Sequence, residues 1–472
     1  MNNTFTPKAP FTRGSIGAVL VACACVACGC IPFMPGRVDT RLENSSPPDS
    51  LQKDAALDRY LTGTVSEETG DLWKAAVYYQ LAWLLDSTSA TIPVSLADVY
   101  LKLGEVEAAR IVLETGRRTC PENQDILERL VKIYLRANRL GDAAQALEDL
   151  AKVRELRGRE LLQLGEIYTR TRCFDDALAV YGKFLTEHTP IAAVYMIIAR
   201  IHIMRRDTAS ADTALRKVIE FDPHNQQALY FLGDFAVNRG DWRAAERYFR
   251  EAVHYDSTEF RNWSNLLYVL AEQKKYEQTL PIIDLALDYF PDSPVLYELK
   301  GRSLQSLHRT DDALEAFDKS IEIDSTRTTP HMGKALLYHQ IGKWDLSEAE
   351  YRQVLKLDPE NALALNNYAY MLAERNVRLG EALDMAKKAL EQSPDNSSYL
   401  DTCGWIYYRM GLHKKALGYI ERALKSSPDN AELNAHLGSI YNALGKIKKA
   451  RQAWRRAAEL EPDNQEYRNL AR

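Results

Sequence analysis

A small residue returns at intervals of 34 residues over most of this 472-residue chain. The series runs from Gly438 toward the N-terminus, with a single interval that is one residue longer, and nearly every member is glycine or alanine. Its other members are Gly404, Ala369, Ala335, Gly301, Leu267, Gly233, Ala199, Gly165, Val131, Ala97 and Gly63. A constant period of this length is typical of a repeat array, in which each unit is one supersecondary element.

The stretch 431–462 shows what one interval encodes. It contains two apolar faces with helical spacing, separated at Gly445 and ended by Pro462, which cannot continue a helix. The apolar residues are Leu433, Leu437, Ile440, Tyr441, Ala450, Ala453, Trp454 and Ala457. A helix pair this short cannot bury its apolar face alone. The pattern predicts an all-α solenoid of about twelve helix-turn-helix units over residues 56–462, with 463–472 forming part of a closing helix.

The spacing within this unit resembles the tetratricopeptide repeat (TPR) family. The matching positions are Leu437, Gly438, Tyr441, Gly445, Ala450, Trp454, Ala457 and Pro462. The resemblance implies a right-handed superhelix whose first helices line a concave groove through positions two, five, six and nine of each unit. The stretches LNNYAYMLAERN, SSYLDTCGWIYYRMG and HLGSIY also resemble large bacterial TPR lipoproteins of the envelope. Some of those proteins are adaptors for a processing protease and its cell-wall hydrolase substrates.

Residues 1–30 have the layout of a secretory signal, because a basic start precedes a short apolar run without acidic residues. The sequence Leu-Val-Ala-Cys at 20–23 also resembles the bacterial lipobox, whose cysteine receives a diacylglyceryl group. We therefore interpret Cys23 as the lipidated residue, with Cys28 and Cys30 as alternative acceptors.

Two other interpretations of the N-terminus remain open. Cleavage without lipidation is one. The other is an uncleaved membrane anchor over Ile16–Met34, which is just long enough to span a bilayer. The polar, proline-containing residues 31–55 are predicted to form a flexible tether between this segment and the repeats.

Composition and motifs argue against several classes of function. The net charge of −5 is small for this length and gives no general signature of nucleic-acid binding. The sequence has no phosphate-binding loop, G-x-S-x-G or H-E-x-x-H motif, so we predict no catalytic residue, no cofactor and no metal ion. The three cysteines outside the signal, Cys120, Cys173 and Cys403, are too scattered for a disulfide framework and are expected to be small buried residues.

The first helices of the C-terminal units carry an unusual set of polar and aromatic residues. Asparagine and aspartate can hydrogen-bond a peptide backbone, while tryptophan and tyrosine supply rigid apolar area. The predicted protein-binding residues are Asn366, Asn367, Tyr370, Asp401, Thr402, Trp405, Tyr408 and His436. The family's lysine- and asparagine-based clamp for a peptide carboxylate does not match the inward positions here.

We therefore expect a non-enzymatic scaffold that is anchored in the cell envelope, in the outer membrane and facing the periplasm. Its expected partners are other proteins, such as a processing protease or components of envelope assembly, and the membrane through its N-terminus. The alternative is an inner-membrane-anchored, cytosol-facing TPR assembly factor for a secretion or polysaccharide-export system. The sequence does not identify the partner.

Overall fold

The computed structural model describes residues 50–471, and this part of the chain is built from α-helices without strands. The chain divides into two compact units between Pro190 and Ile191. In the described part of the first unit, eight helices form four consecutive pairs. They are α1 (Ser50–Glu68), α2 (Leu72–Leu85), α3 (Thr91–Lys102), α4 (Val106–Thr119), α5 (Gln124–Arg136), α6 (Leu140–Val153), α7 (Gly158–Arg170) and α8 (Phe174–Glu187).

The second unit contains eight further helix pairs and a short last helix within the described residues. They are α9 (Ala192–Met204), α10 (Thr208–Phe221), α11 (Gln226–Asn238), α12 (Trp242–Tyr255), α13 (Phe260–Glu272), α14 (Tyr276–Tyr289), α15 (Pro294–Ser306), α16 (Thr310–Ile323), α17 (Thr328–Gln340), α18 (Trp344–Leu357), α19 (Ala362–Glu374), α20 (Leu379–Gln392), α21 (Ser397–Arg409), α22 (His413–Ser426), α23 (Ala431–Ala443), α24 (Ile447–Leu460) and α25 (Gln465–Ala471). The predicted fold class, an all-α solenoid of TPR-type helix pairs, is confirmed.

Asparagine side chains begin the first helices of the C-terminal pairs. The Oδ1 atoms of Asn361, Asn396 and Asn430 each accept hydrogen bonds from backbone N–H groups in the first turn of the following helix. These bonds satisfy donors that the helix itself leaves unpaired. Gly445 then takes a positive φ of 73° in the turn between α23 and α24, a conformation in which glycine is favoured.

Within a pair, the two helices meet where a glycine of the first helix faces a large side chain of the second. A Cβ atom on Gly438 would lie closer to the Trp454 ring than real Cβ atoms approach their neighbours. Gly165 has the same relation to Tyr181, and so does Gly233 to Phe249. In these pairs the small residue of the 34-residue period lets the two helices close around an aromatic ring, whereas Gly404 faces Ile420.

The predicted chain boundaries are only partly covered by the described residues. The signal at 1–30, with Cys23, Cys28 and Cys30, and most of the tether at 31–55 lie outside them. Helix α1 begins at Ser50, inside the segment expected to be tether and before residue 56, the predicted start of the repeats. Within residues 50–471, the structure contains no helix whose length and apolar character would let it cross a bilayer.

The expectation that the scattered cysteines are buried is wrong for two of the three. Cys403 is buried in α21, Cys120 is partly exposed, and Cys173 is exposed. Cys120 is the C-cap residue of α4 and Cys173 is the N-cap residue of α8, so neither lies on the packed face of a helix.

Candidate functional site

Helices α19, α21 and α23, each the first helix of its pair in the second unit, bring most of the predicted binding residues together. A cleft of about 180 Å³ lies between them. Its lining residues are Asn366, Asn367, Tyr370, Ser397, Ser398, Asp401, Thr402, Asn430, Glu432 and Leu433. Trp405, Tyr408 and His436 lie outside this lining, although His436 bonds to a residue within it. We call this space the α19–α23 cleft.

A buried acid–base pair reaches the cleft through Asp401, one of its lining residues. The Nδ1 atom of His436 lies 2.8 Å from Oδ1 of Asp401, and each side chain is 10% exposed. Burial lowers the pKa of His436, but the charge of Asp401, the hydrogen bond to it, and the charges of Glu432 and Glu374 raise it by more. The net pKa is raised, because the Asp401 carboxylate favours an imidazole whose Nδ1–H donates to it.

Aromatic rings hold the imidazole in place. The Trp405 ring stacks on His436 at a centroid distance of 4.0 Å and on Tyr408 at 4.8 Å, with interplanar angles of 16° and 18°. Trp405 also packs against the hydrophobic core formed by α19, α20 and α21, and both aromatic residues are only partly exposed. The Trp405 ring therefore orients His436, while Tyr408 stacks on Trp405, and both rings offer partly exposed apolar surface.

Tyr370 connects α19 to α23. Its hydroxyl donates a 2.8 Å hydrogen bond to Oε1 of Glu432. Burial, followed by the charge of Glu432 and the hydrogen bond to it, raises the pKa of Tyr370. Burial and the same carboxylate also raise the pKa of Tyr467, on α25, to about 12. Both phenols therefore stay protonated at neutral pH.

Two asparagines line the cleft on the α19 side. The Nδ2 group of Asn366 donates to Oδ1 of Asn367 at 3.3 Å. The other polar atom of Asn366, Oδ1, is buried and has no hydrogen-bond partner among the described residues. Asn366 is itself only 6% exposed. A buried acceptor without a partner is costly, so this oxygen identifies the place where a ligand donor would be most favourable.

Thr402 contributes little polar capacity to the cleft. Its hydroxyl donates to the backbone oxygen of Ser398 at 3.1 Å, one helical turn earlier, and the residue is 2% exposed. Thr402 lines the cleft, but the hydrogen-bonding need of its hydroxyl is met within α21.

Sequence reasoning missed Glu432, the second carboxylate of the site. It occupies position two of its unit, one of the inward positions implied by the family resemblance. That register could have identified it, whereas selection by residue type favoured asparagine and aromatic residues. Together, Asp401, Glu432 and His436 place three possible ligand atoms within 4.8 Å of one another. The arrangement can therefore attract a cation or a hydrogen-bond donor.

Both units are built from consecutive helix pairs, and in the second unit the first helices carry a polar cleft. These features define the class of protein. It is an α-solenoid, an architecture suited to binding other proteins. Models of the tetratricopeptide repeat match residues 407–472 in one case, and 94–160 and 332–397 in another. The chain belongs to the tetratricopeptide repeat family. A model of ChAPs (Chs5p-Arf1p-binding proteins) also matches residues 159–291.

Curated relatives share this repeat content at low identity. A TPR repeat-containing protein of Pseudomonas aeruginosa is 28% identical over 144 residues, which cover 30% of this chain and 24% of that protein. A TPR repeat-containing protein of Methanocaldococcus jannaschii is 23% identical over 305 residues, covering 58% of this chain and 53% of the relative. The chain thus spans about half or less of the length of these relatives.

Two solved structures are similar to this chain at low sequence identity. The APC/C hetero-tetramer Cut9-Hcn1 has a TM-score of 0.42 at 13% identity and covers 88% of this chain and 89% of its own. Yeast Tom70 has a TM-score of 0.40 at 15% identity and covers 89% and 95%, respectively.

Proposed function

We propose that this protein is a non-enzymatic adaptor that binds partner proteins through the α19–α23 cleft. The observation that carries the proposal is the buried, unpartnered Oδ1 of Asn366 beside two carboxylates. A folded protein seldom keeps such an oxygen without a partner unless the site has a use for it. A peptide backbone or side-chain donor from another protein would satisfy it.

The surroundings of the cleft suit a protein ligand. Tyr370 and the Trp405 ring provide rigid aromatic area beside polar groups, a composition found at the energetically important centres of protein interfaces. The polar side chains are held by bonds within the protein, so little ordering is needed when a partner binds.

Site-specific photo-crosslinking in cells tests this role. A photoreactive amino acid at Asn367, which lines the cleft and is partly exposed, is expected to give discrete adducts with partner proteins. The same amino acid at Lys388, exposed on α20, is the matched control on the second helix of that pair. Adducts of equal abundance at both positions, or none at Asn367, would contradict the proposal.

We also propose that the adaptor is a lipoprotein held in the outer membrane and facing the periplasm. The lipobox-like sequence at 20–23 supports lipidation, and the absence of aspartate after each acceptor cysteine supports placement in the outer membrane. Two or more acyl chains are needed for stable anchoring, because one chain gives only reversible binding. The triple variant Cys23→Ser, Cys28→Ser and Cys30→Ser is expected to be released from membranes. Retention of this variant in the membrane fraction would favour an uncleaved anchor.

The exposed Cys173 makes the orientation testable. After permeabilisation of the outer membrane alone, a membrane-impermeant thiol reagent is expected to label Cys173. The variant Cys173→Ser is the control that identifies the labelled site. Labelling that requires lysis of the inner membrane would support the cytosol-facing alternative.

A further inference from the structure

The α19–α23 cleft holds three oxygen acceptors without a hydrogen-bond partner in the described chain. Oδ1 of Asp401 is taken by His436, and Oε1 of Glu432 is taken by Tyr370. Each carboxylate therefore keeps its second oxygen free for a ligand. Asn366 also lines the cleft, and its buried Oδ1 is the third acceptor.

The charge of the cleft favours a cation. Two carboxylates stand against a single imidazole, so the charge of these three groups is negative in either protonation state of His436. Among the described residues, no lysine or arginine lines the cleft, so it has no side-chain counter-ion besides that imidazole. A positively charged group from outside would offset this negative charge and find acceptors already in place.

The number and arrangement of the free oxygens favour a primary ammonium group as the cation. An ammonium group has three N–H donors and no acceptor, which matches three separate oxygens. A guanidinium prefers to use both oxygens of one carboxylate in a fork, and here each carboxylate has one oxygen already occupied. The space of about 180 Å³ admits the end of a lysine side chain.

We propose that the α19–α23 cleft binds the ammonium group of a lysine side chain on the partner protein. This inference rests on the proposed adaptor function and gives the partner's chemistry. The ammonium contacts Asp401, Glu432 and Asn366, while the aliphatic part of the lysine side chain packs against the partly exposed ring of Tyr370.

A divalent cation is the competing occupant, because Asp401, Glu432 and His436 offer one ligand atom each within 4.8 Å. The Nδ1 atom of His436 faces Asp401 Oδ1 at 2.8 Å, so this nitrogen is engaged by the carboxylate. A metal ion would have to compete with that contact or use Nε2, whereas an ammonium group can bind the remaining carboxylate oxygens and leave the pair intact.

Saturation-transfer NMR on the full-length protein tests the proposal with a capped pentapeptide that has lysine between pairs of glycines. The expected result is the strongest saturation on the lysine ε-methylene protons. The same peptide with ε-acetyl-lysine is expected to bind at least about tenfold more weakly, since its charge is removed. Equal binding of the two peptides would overturn the inference.

Protein variants locate the site. Glu432→Gln removes one charge at an exposed position, and Asn366→Leu removes the buried acceptor at similar volume. Each is expected to weaken the lysine peptide at least about tenfold, whereas the control Asp98→Asn, on α3, leaves it unchanged. Undiminished binding of the lysine peptide to both cleft variants would overturn the inference. Binding of Zn²⁺ to the wild type that is lost in His436→Gln would also overturn it. If the crosslinked adducts at Asn367 persist in either of these outcomes, the adaptor function does not depend on binding a lysine side chain.

Discussion

The carboxylate of Asp98 on α3 is neutralised differently from the carboxylates of Asp401 on α21 and Glu432 on α23. In the first unit, Nε and Nη2 of Arg129 reach Oδ1 and Oδ2 of Asp98 at 2.8 and 2.7 Å, so both oxygens are used. In the α19–α23 cleft, His436 and Tyr370 each occupy a single oxygen of their carboxylate partners. The first arrangement is closed by the protein itself, and the second remains open to a ligand.

The difference shows that carboxylates at inward positions of the repeat can have opposite uses. Asp98 occupies position nine of its unit and Asp401 position five, both inward positions according to the family resemblance. An arginine from the next unit completes the first, whereas α23 offers a histidine to the second. Binding capacity in this solenoid therefore depends on the residue that the neighbouring unit supplies, more than on the carboxylate.

The largest expected effect comes from breaking the buried pair. His436→Ala leaves the Asp401 carboxylate buried without a partner, and we expect a loss of about 3–5 kcal/mol in local stability. Arg129→Ala exposes a partly solvated Asp98 and should cost at most about 1 kcal/mol. Amide hydrogen exchange in α21 and α23, compared with α3 and α5, measures both. Equal losses at the two places would contradict the comparison.

A second variant separates packing from charge. Gly438→Ala forces a methyl group against the Trp454 ring and leaves every cleft carboxylate in place. Overpacking of this kind costs about 1–3 kcal/mol. Gly418→Ala is the matched control, since its Cβ meets nothing within 4 Å and alanine is the better helix former. Thermal unfolding followed by circular dichroism should show opposite shifts, and equal shifts would contradict the helix-pair register.

The histidine pair predicts a pH dependence that the arginine pair lacks. The pKa of His436 in the folded protein is raised by Asp401, Glu432 and Glu374, which outweigh the effect of burial. Its stabilising contribution is therefore complete below the ordinary histidine pKa of 6.5 and is lost as pH rises through the folded value. Melts of the wild type and of His436→Gln between about pH 6 and about pH 9 should converge at high pH. Parallel curves would contradict this assignment.

The smallest expected effect is that of Glu432→Gln on stability. Glu432 is exposed, and glutamine keeps an oxygen for the Tyr370 hydroxyl, so the change should lie within about 0.5 kcal/mol. This makes the variant suitable for binding measurements, because a loss of ligand then reports charge. A destabilisation as large as that of His436→Ala would show that the open carboxylate is structural.

The fold was predictable from sequence because its determinants repeat. A small residue opposite a large one, as in Gly438 and Trp454, recurs at a constant interval, so each unit supports the interpretation of the others. The helix ends also follow from local chemistry, such as the asparagine before each first helix of the C-terminal pairs. Such signals depend on neighbours in the chain, which a sequence displays directly.

The site was predictable only in part. The pattern placed Asn366, Tyr370 and Asp401 on one face, and the structure puts all three on the cleft wall. The absence of a partner for Asn366 Oδ1 depends on a side-chain rotamer, and the pairing of Asp401 with His436 depends on the angle between α21 and α23. Both are set by packing across units, which periodicity does not determine.

The hydrogen bond from Tyr370 to Glu432 has a mechanical consequence. It joins α19 to α23 across the intervening α21–α22 pair, whereas a solenoid ordinarily couples only adjacent units. Bending that moves α19 away from α23 must break this hydrogen bond, so the bond resists separation of these two helices. Because Glu432 also faces the cleft, a partner that displaces the tyrosine would change the stiffness of the C-terminal stretch as it binds.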